Sequence, residues 1–332
     1  MGIEITTLTD EDEWNQLVDR TAQATPFHRY EALEVIAEHS GATLHPYAGF
    51  KGQEPVGIFP VFEISKGPVS AAFSPPPDLK ISYLGPALIH NGNLKRRRLE
   101  RTNKRFVNGC LDEVQSTIDP KFSLIRTAIG YTDPRPFMWR EYDSTARYTY
   151  VVDLTPSTDD ILMEFSSDAR KNVTNTDPAS YEIFAGDRSD AIESIERTKQ
   201  RHDEQDVSFN VTPSFVGDLY DHLPDDVFRV YVCEVDGEFC GGHITLEHGD
   251  TIYGWQSWGS MDASVPVNDL LEWTIMQDAK ERGLTQYDLV GANHERISQY
   301  KSKFGPHLVP FVRVQDGSRS MNIVSNIYKK IR

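Results

Sequence analysis

Residues 227–260 read VFRVYVCEVDGEFCGGHITLEHGDTIYGWQSWGS, and this stretch decides the fold. Two turn signals cut it into three β-rich runs. Asp236-Gly237 is a two-residue hairpin signal between apolar segments. His248-Gly249-Asp250 marks a second turn. The runs Val227–Val235, Glu238–Glu247 and Thr251–Ser260 therefore read as three consecutive antiparallel strands.

After Ser260 the apolar period changes. Val267, Leu270, Leu271, Thr274, Ile275 and Ala279 fall on one face of a 3.6-residue repeat, which predicts a helix over Val267–Arg282 stopped by Gly283. Tyr287–Val290 is a short strand, Glu295–Phe304 a helix and Leu308–Val314 a last strand. Upstream, Asp159–Phe165, Asp190–Asp203 and Pro213–His222 read as helices.

The first half repeats the grammar. Ile3–Thr7 reads as a strand, and Asp10–Arg20 and Tyr30–His39 as helices. Leu44–Phe50 and Pro55–Phe62 form a hairpin, followed by a long helix over Asn93–Val114 and strands at Phe122–Thr127 and Tyr148–Leu154. Thr155-Pro156-Ser157 punctuates the last of these, so the division is expected at 1–154 and 155–332. The fold class is mixed α/β (α+β), each domain a largely antiparallel sheet flanked by helices. A length of 332 residues suits two cores.

Composition excludes several classes. No apolar run approaches the roughly 20 residues that span a bilayer. The N-terminus has no basic region followed by an apolar one, as a secretion signal has. Cys110, Cys233 and Cys240 are widely spread, which suits a reducing compartment and predicts a cytoplasmic protein. With Asp236-Gly237 as the turn, Cys233 is expected opposite Cys240 in a geometry unsuited to a disulfide. No metal site is expected, because neither His-x-x-x-His nor Cys-x-x-Cys occurs. Net charge is −16, with 28 Asp and 22 Glu against 13 Lys and 21 Arg. An Asp-rich, Lys-poor surface suits a halophilic cytosol, and ordinary solubility is the other reading. Against that background Lys95–Arg105 holds seven cations and one anion. Arg97, Arg98 and Arg101 are its candidate anion-binding residues; a helix face balanced by acidic neighbours explains them equally well.

Several residues then line up in order: Val235-Asp236-Gly237-Glu238, Tyr253, Pro266, Leu270-Leu271, Ala279, Gly283, Tyr287-Asp288-Leu289 with Gly291, and Tyr300-Lys301-Ser302-Lys303-Phe304-Gly305. With them the second half resembles the FemAB-like branch of the GNAT acyltransferase superfamily. Its best-known members attach amino acids from aminoacyl-tRNA to peptidoglycan precursors. The resemblance implies two GNAT-like domains and a cleft where the strands Thr251–Ser260 and Tyr287–Val290 splay apart. It implies an acyl or aminoacyl transferase in which an acceptor amine attacks the bound donor directly. The chain shows neither Gly-x-Ser-x-Gly nor a Cys beside a His, which fits such an attack.

The resemblance also implies a functional lysine at Lys301, beside the cleft; a solvated helix lysine is the alternative. Lys303 reads as a surface charge. His294 has the intrinsic pKa to accept a proton, or is an exposed loop histidine. Asn293 sits where the cleft opens. Tyr253 and Trp255 share one face of their strand by the two-residue period and line the substrate channel or the core, while Trp258 is expected on the opposite face. Arg170 and Lys171 lie near the family's acceptor groove, or on a charged surface.

The stretch 259–266 lacks the Arg/Gln-x-x-Gly-x-Gly/Ala loop that cradles the coenzyme A pyrophosphate in many GNAT enzymes. Asp269 and Glu272 read as first-turn carboxylates that repel a pyrophosphate. The donor is thus expected to be an aminoacyl-tRNA, with no tightly bound cofactor and tRNA as a partner. A coenzyme A-dependent N-acyltransferase acting on an amino sugar or small amine is the runner-up, with acyl-CoA as donor. A non-catalytic GNAT-like binding module is the third reading.

Overall fold

The computed structural model describes residues 2–89 and 95–316. In chain order the elements begin with β1 (Glu4–Thr7), α1 (Glu11–Asp19), α2 (Tyr30–Ser40), β2 (Thr43–Lys51), β3 (Glu54–Lys66) and β4 (Val69–Ser74). Next come β5 (Ala87–Leu88), α3 (Arg96–Thr117), β6 (Phe122–Arg126), α4 (Arg135–Met138) and β7 (Asp143–Asp153). Then come α5 (Thr158–Glu164), α6 (Ser167–Asn175), β8 (Glu182–Ala185), α7 (Arg188–Glu204) and α8 (Pro213–His222). The chain continues with β9 (Phe228–Val235), β10 (Glu238–His248), β11 (Thr251–Gly259), α9 (Val267–Glu281), β12 (Gln286–Asp288), α10 (Glu295–Lys301) and β13 (His307–Asp316).

The chain divides into two compact units. One is Tyr148–Val309; the other holds Met1–Arg147 and the described residues from Pro310 onward. The expected division at 154/155 is displaced for a pairing reason. Val151–Asp153 of β7 bond to β12, which ties that strand to the second unit. Arg313–Asp316 of β13 bond to β6, which returns the last strand to the first unit.

Each unit contains the same motif. In the first, β2, β3 and β4 are antiparallel, α3 follows, and β6 runs parallel to β4. In the second, β9, β10 and β11 are antiparallel, α9 follows, and β12 runs parallel to β11. The expected pair of GNAT-like mixed sheets is thus present.

In each unit the helix after the third strand carries the core. Phe106, Val107, Cys110, Leu111 and Val114 of α3 bury against Tyr47, Phe59 and Ile125. Val267, Leu270, Leu271, Ile275, Met276 and Ala279 of α9 bury against Tyr231, Cys233, Ile252 and Tyr287. Full burial of one such aliphatic side chain stabilises by about 1.5–3 kcal/mol.

Two bulges adjust the second sheet. Asp236 (φ 55°) and Gly237 (φ 77°) make the left-handed pair that a two-residue hairpin requires. The β9–β10 register then shifts, and Cys233 faces Gly241. The expected Cys233–Cys240 pairing is therefore offset by one residue. The cysteines are free thiols. Alkylation and mass mapping of freshly purified protein are expected to find Cys233 and Cys240 unlinked; a stable bridge between them would contradict this register.

The second bulge lies in β11. Ile244 faces Gln256 and Thr245 faces Gly254, so Trp255 is the extra residue of the pair. One extra residue reverses the alternation beyond it. Trp258 consequently does not lie on the face that a plain two-residue period gives it. Trp255 packs edge-on against Phe215 of α8, and Trp258 stacks on Phe239 beneath Arg201 of α7. Those two helices pack together.

Candidate active site

The two strands at the expected cleft part after a short pairing. β11 and β12 pair at only three positions, the last being Tyr253 with Asp288. Beyond it β11 continues to Gly259 while β12 stops. The main chain then turns sharply, through Val290 at φ 51° and Gly291 at φ 89°. A β-branched residue rarely adopts that backbone, so the turn needs outside support.

Three side chains supply the support. Asp288 accepts a hydrogen bond from Thr149 Oγ1 at 2.6 Å and from the Val290 N–H at 2.8 Å. Thr149 Oγ1 accepts from the Gly291 N–H at 2.9 Å. Lys301 Nζ donates to the carbonyls of Leu289 at 2.5 Å and Val290 at 2.6 Å. Burial pushes the Lys301 ammonium below the usual lysine pKa, while Glu272 and Asp288 pull it back up. Lys301 is thus a charged donor held at the splayed end of β12.

Beneath it lies a polar cluster on the α9 side of the sheet. Tyr287 donates to Glu272 Oε2 at 2.7 Å. His243 Nδ1 stands 3.9 Å from Glu272 Oε1. Both Glu272 and His243 are buried. Burial raises the Glu272 pKa to about 7, partly offset by the Tyr287 hydrogen bond and the Lys301 charge. Burial and the Lys301 charge lower that of His243 to about 3, so its imidazole is neutral at pH 7. Gly254 makes room here: a Cβ on it would come within 2.8 Å of the Tyr287 hydroxyl and 3.0 Å of His243 Nε2.

Asp269 does not stand at an open helix entrance. It is buried, and it accepts from Asn172 Nδ2 at 2.6 Å, Tyr300 OH at 3.2 Å and Lys303 Nζ at 3.2 Å. Lys303 also bridges to Asp168 at 3.3 Å, so it is an ion-pair partner and not a free surface charge. Glu272 lies beyond the first turn and points inward. The expected repulsion of a pyrophosphate by these two carboxylates therefore weakens. The missing glycine-rich loop at 259–266 remains.

The remaining sequence candidates scatter. Tyr253 is buried at the last β11–β12 pair, and its hydroxyl is pushed well above the usual tyrosine pKa by burial and then by Asp288 and Asp250. Asn293 brackets the Tyr148 main chain, accepting from its N–H at 2.9 Å and donating to its carbonyl at 2.8 Å. His294 is exposed at the N-cap of α10. Arg170 donates to the Met163 carbonyl at 3.1 Å, and Lys171 is exposed on α6. Arg97, Arg98 and Arg101 are exposed on α3, in the first unit. Sequence reading did not pick His243 or Tyr287 as site residues. Their only signal was polarity inside otherwise apolar strands. No group of three or more His, Cys, Asp or Glu that could hold a metal occurs among the described residues, and no helix among them is long and apolar enough to cross a membrane.

Residues 166–302 match the family described as acetyltransferase (GNAT) domain. No curated protein matches the chain. Among solved structures, FemX is similar with a TM-score of 0.70 at 14% identity, covering 93% of this chain and 96% of that one. L-PGS from Bacillus licheniformis is similar with a TM-score of 0.59 at 11% identity, covering 97% and 96%. The C-terminal domain (DUF2156) of a candidate lysylphosphatidylglycerol synthetase from Agrobacterium fabrum is similar with a TM-score of 0.58 at 12% identity, covering 93% and 92%. The chain thus resembles the GNAT acyltransferases over residues 166–302, and its fold is one that FemX shares.

Proposed function

We propose that the protein transfers an aminoacyl group, in FemAB-like fashion, to an acceptor amine at the split between β11 and β12. The observation that carries this reading is Lys301, whose ammonium is held by two carbonyls at the point where the strands part. The amine nitrogen attacks the ester carbonyl and forms the new C–N bond. The carbonyl oxygen gains negative charge, which a neighbouring ammonium stabilises. Collapse breaks the C–O bond, and the ribose oxygen leaves as a hydroxyl by taking up the proton that the amine loses. His294, exposed at the N-cap of α10, is the candidate carrier that accepts this proton from the amine and returns it to the leaving oxygen.

The donor assignment rests on the stretch 259–266, which offers no glycine-rich cradle for a pyrophosphate. Acetyl-coenzyme A is therefore expected to bind no tighter than about 1 mM, near −4 kcal/mol. Titration calorimetry in near-molar KCl measures this directly. Micromolar binding, followed by turnover with a simple amine, would overturn the aminoacyl reading in favour of a coenzyme A-dependent N-acyltransferase. Transfer of a radiolabelled amino acid from charged tRNA to an amine would support it.

A further inference from the structure

We infer that the outer face of α3, together with Trp139, is a docking surface for a single-stranded nucleic acid. The inner face of α3 is core, with Asn103, Phe106, Val107, Cys110, Leu111 and Val114 buried. The outer face carries Arg97, Arg98, Arg101, Lys104 and Arg105, all exposed. Next to it, α4 is pinned by Phe137, which is fully buried against Phe59, Tyr131 and Tyr142. That anchor turns Met138 and Trp139 outward, and they are 52% and 55% exposed. Lys104 Nζ lies 5.2 Å from the Trp139 ring centroid and the Arg135 guanidinium 5.6 Å from it. Two cations therefore hold a large aromatic in the open.

A chain of net charge −16 keeps this one dense cationic run. Charge complementarity calls for a polyanion, and counterion release drives such binding. An exposed indole among arginines adds a stacking platform, the pairing by which single strands are held without sequence preference. An anionic membrane fits less well. The apolar part of the face is one indole and one thioether, too little for the broad apolar face that interfacial helices bury. The surface stands apart from the donor question, because an uncharged oligonucleotide needs no acyl group to bind.

The test is fluorescence anisotropy with a labelled 12-nucleotide oligo-uridine over a KCl series, on the full chain. The logarithm of affinity is expected to fall linearly with the logarithm of salt, by about 0.7 per phosphate neutralised. Arg97→Glu with Arg101→Glu should flatten that slope. Trp139→Ala should weaken binding by roughly tenfold at an unchanged slope, since stacking carries no counterion term. All positions are exposed, so unaltered melting temperatures are expected to accompany both changes. Binding and slope that ignore both variants would overturn the proposal. So would an absence of oligonucleotide binding, with or without attachment to phosphatidylglycerol vesicles through the same residues.

Discussion

Turnover of Lys301→Met is expected to fall by about 10²–10³-fold, the usual cost of removing one oxyanion donor. The methionine keeps an apolar stem and removes the charge. It also withdraws the donor from the Leu289 and Val290 carbonyls, so a stability loss on the order of 2 kcal/mol should accompany it. The two effects need separating. Thr149→Val loosens the same turn, removing the bonds to Asp288 and to the Gly291 N–H while leaving Lys301 in place. Its stability should fall comparably, and its turnover by less than about tenfold. Single-turnover rates beside urea melts measure both. Equal loss of turnover in the two variants would make Lys301 a clamp for the turn and nothing more.

Glu272→Gln should stabilise the protein above neutral pH by on the order of 3 kcal/mol, because burial raises the Glu272 pKa from 4.5 to about 7. The direction follows from proton counting. Glu272 rises from 4.5 to about 7 on folding, so between those values the folded state holds the extra proton and stability falls as pH rises. His243 drops from 6.5 to about 3, so between those values the unfolded state holds the extra proton and stability rises with pH. From pH 4.5 to 6.5 the two slopes oppose and largely cancel in the wild type. The variant removes one of them, and its stability should climb from pH 3 to 6.5. Urea denaturation at half-unit pH steps is the check. A variant with an unchanged profile that is less stable at pH 8 would mean Glu272 stays ionised in the fold. Such a result would leave the Lys301 ammonium facing the full charge of Glu272, which supports it in part.

The parts that sequence discloses are those with a period or an obligatory turn. The strands β9, β10 and β11 follow from Asp236-Gly237 and the β-branched runs, and α9 from its apolar stripe. Elements α6 and β8 leave little trace, because only Ala169 of α6 is fully buried and β8 is four residues long. The bulge at Trp255 is invisible in composition, since an extra residue in a strand looks like any other. It reverses the facing of Trp258 all the same. Lys301 is legible through its motif, but its two carbonyl partners lie 11 and 12 residues away in a turn no pattern announces. Asp269 and Glu272 read as helix-dipole carboxylates because proximity to a helix start is local information. Their burial beside Tyr300 and Tyr287 is tertiary.

The return of β13 to the first unit has a consequence for synthesis. Translation adds about 5–20 residues per second, and domains generally fold as units when their residues have emerged. The second unit is contiguous from Tyr148 to Val309, so it has all its strands before residues 310–316 leave the ribosome. The first unit, though made first, must wait with the β6 edge bare until Arg313–Asp316 arrive to cover it. Completion thus runs opposite to the order of synthesis. A stop codon after Val309 should spare the younger half and leave the older one with an open, aggregation-prone border.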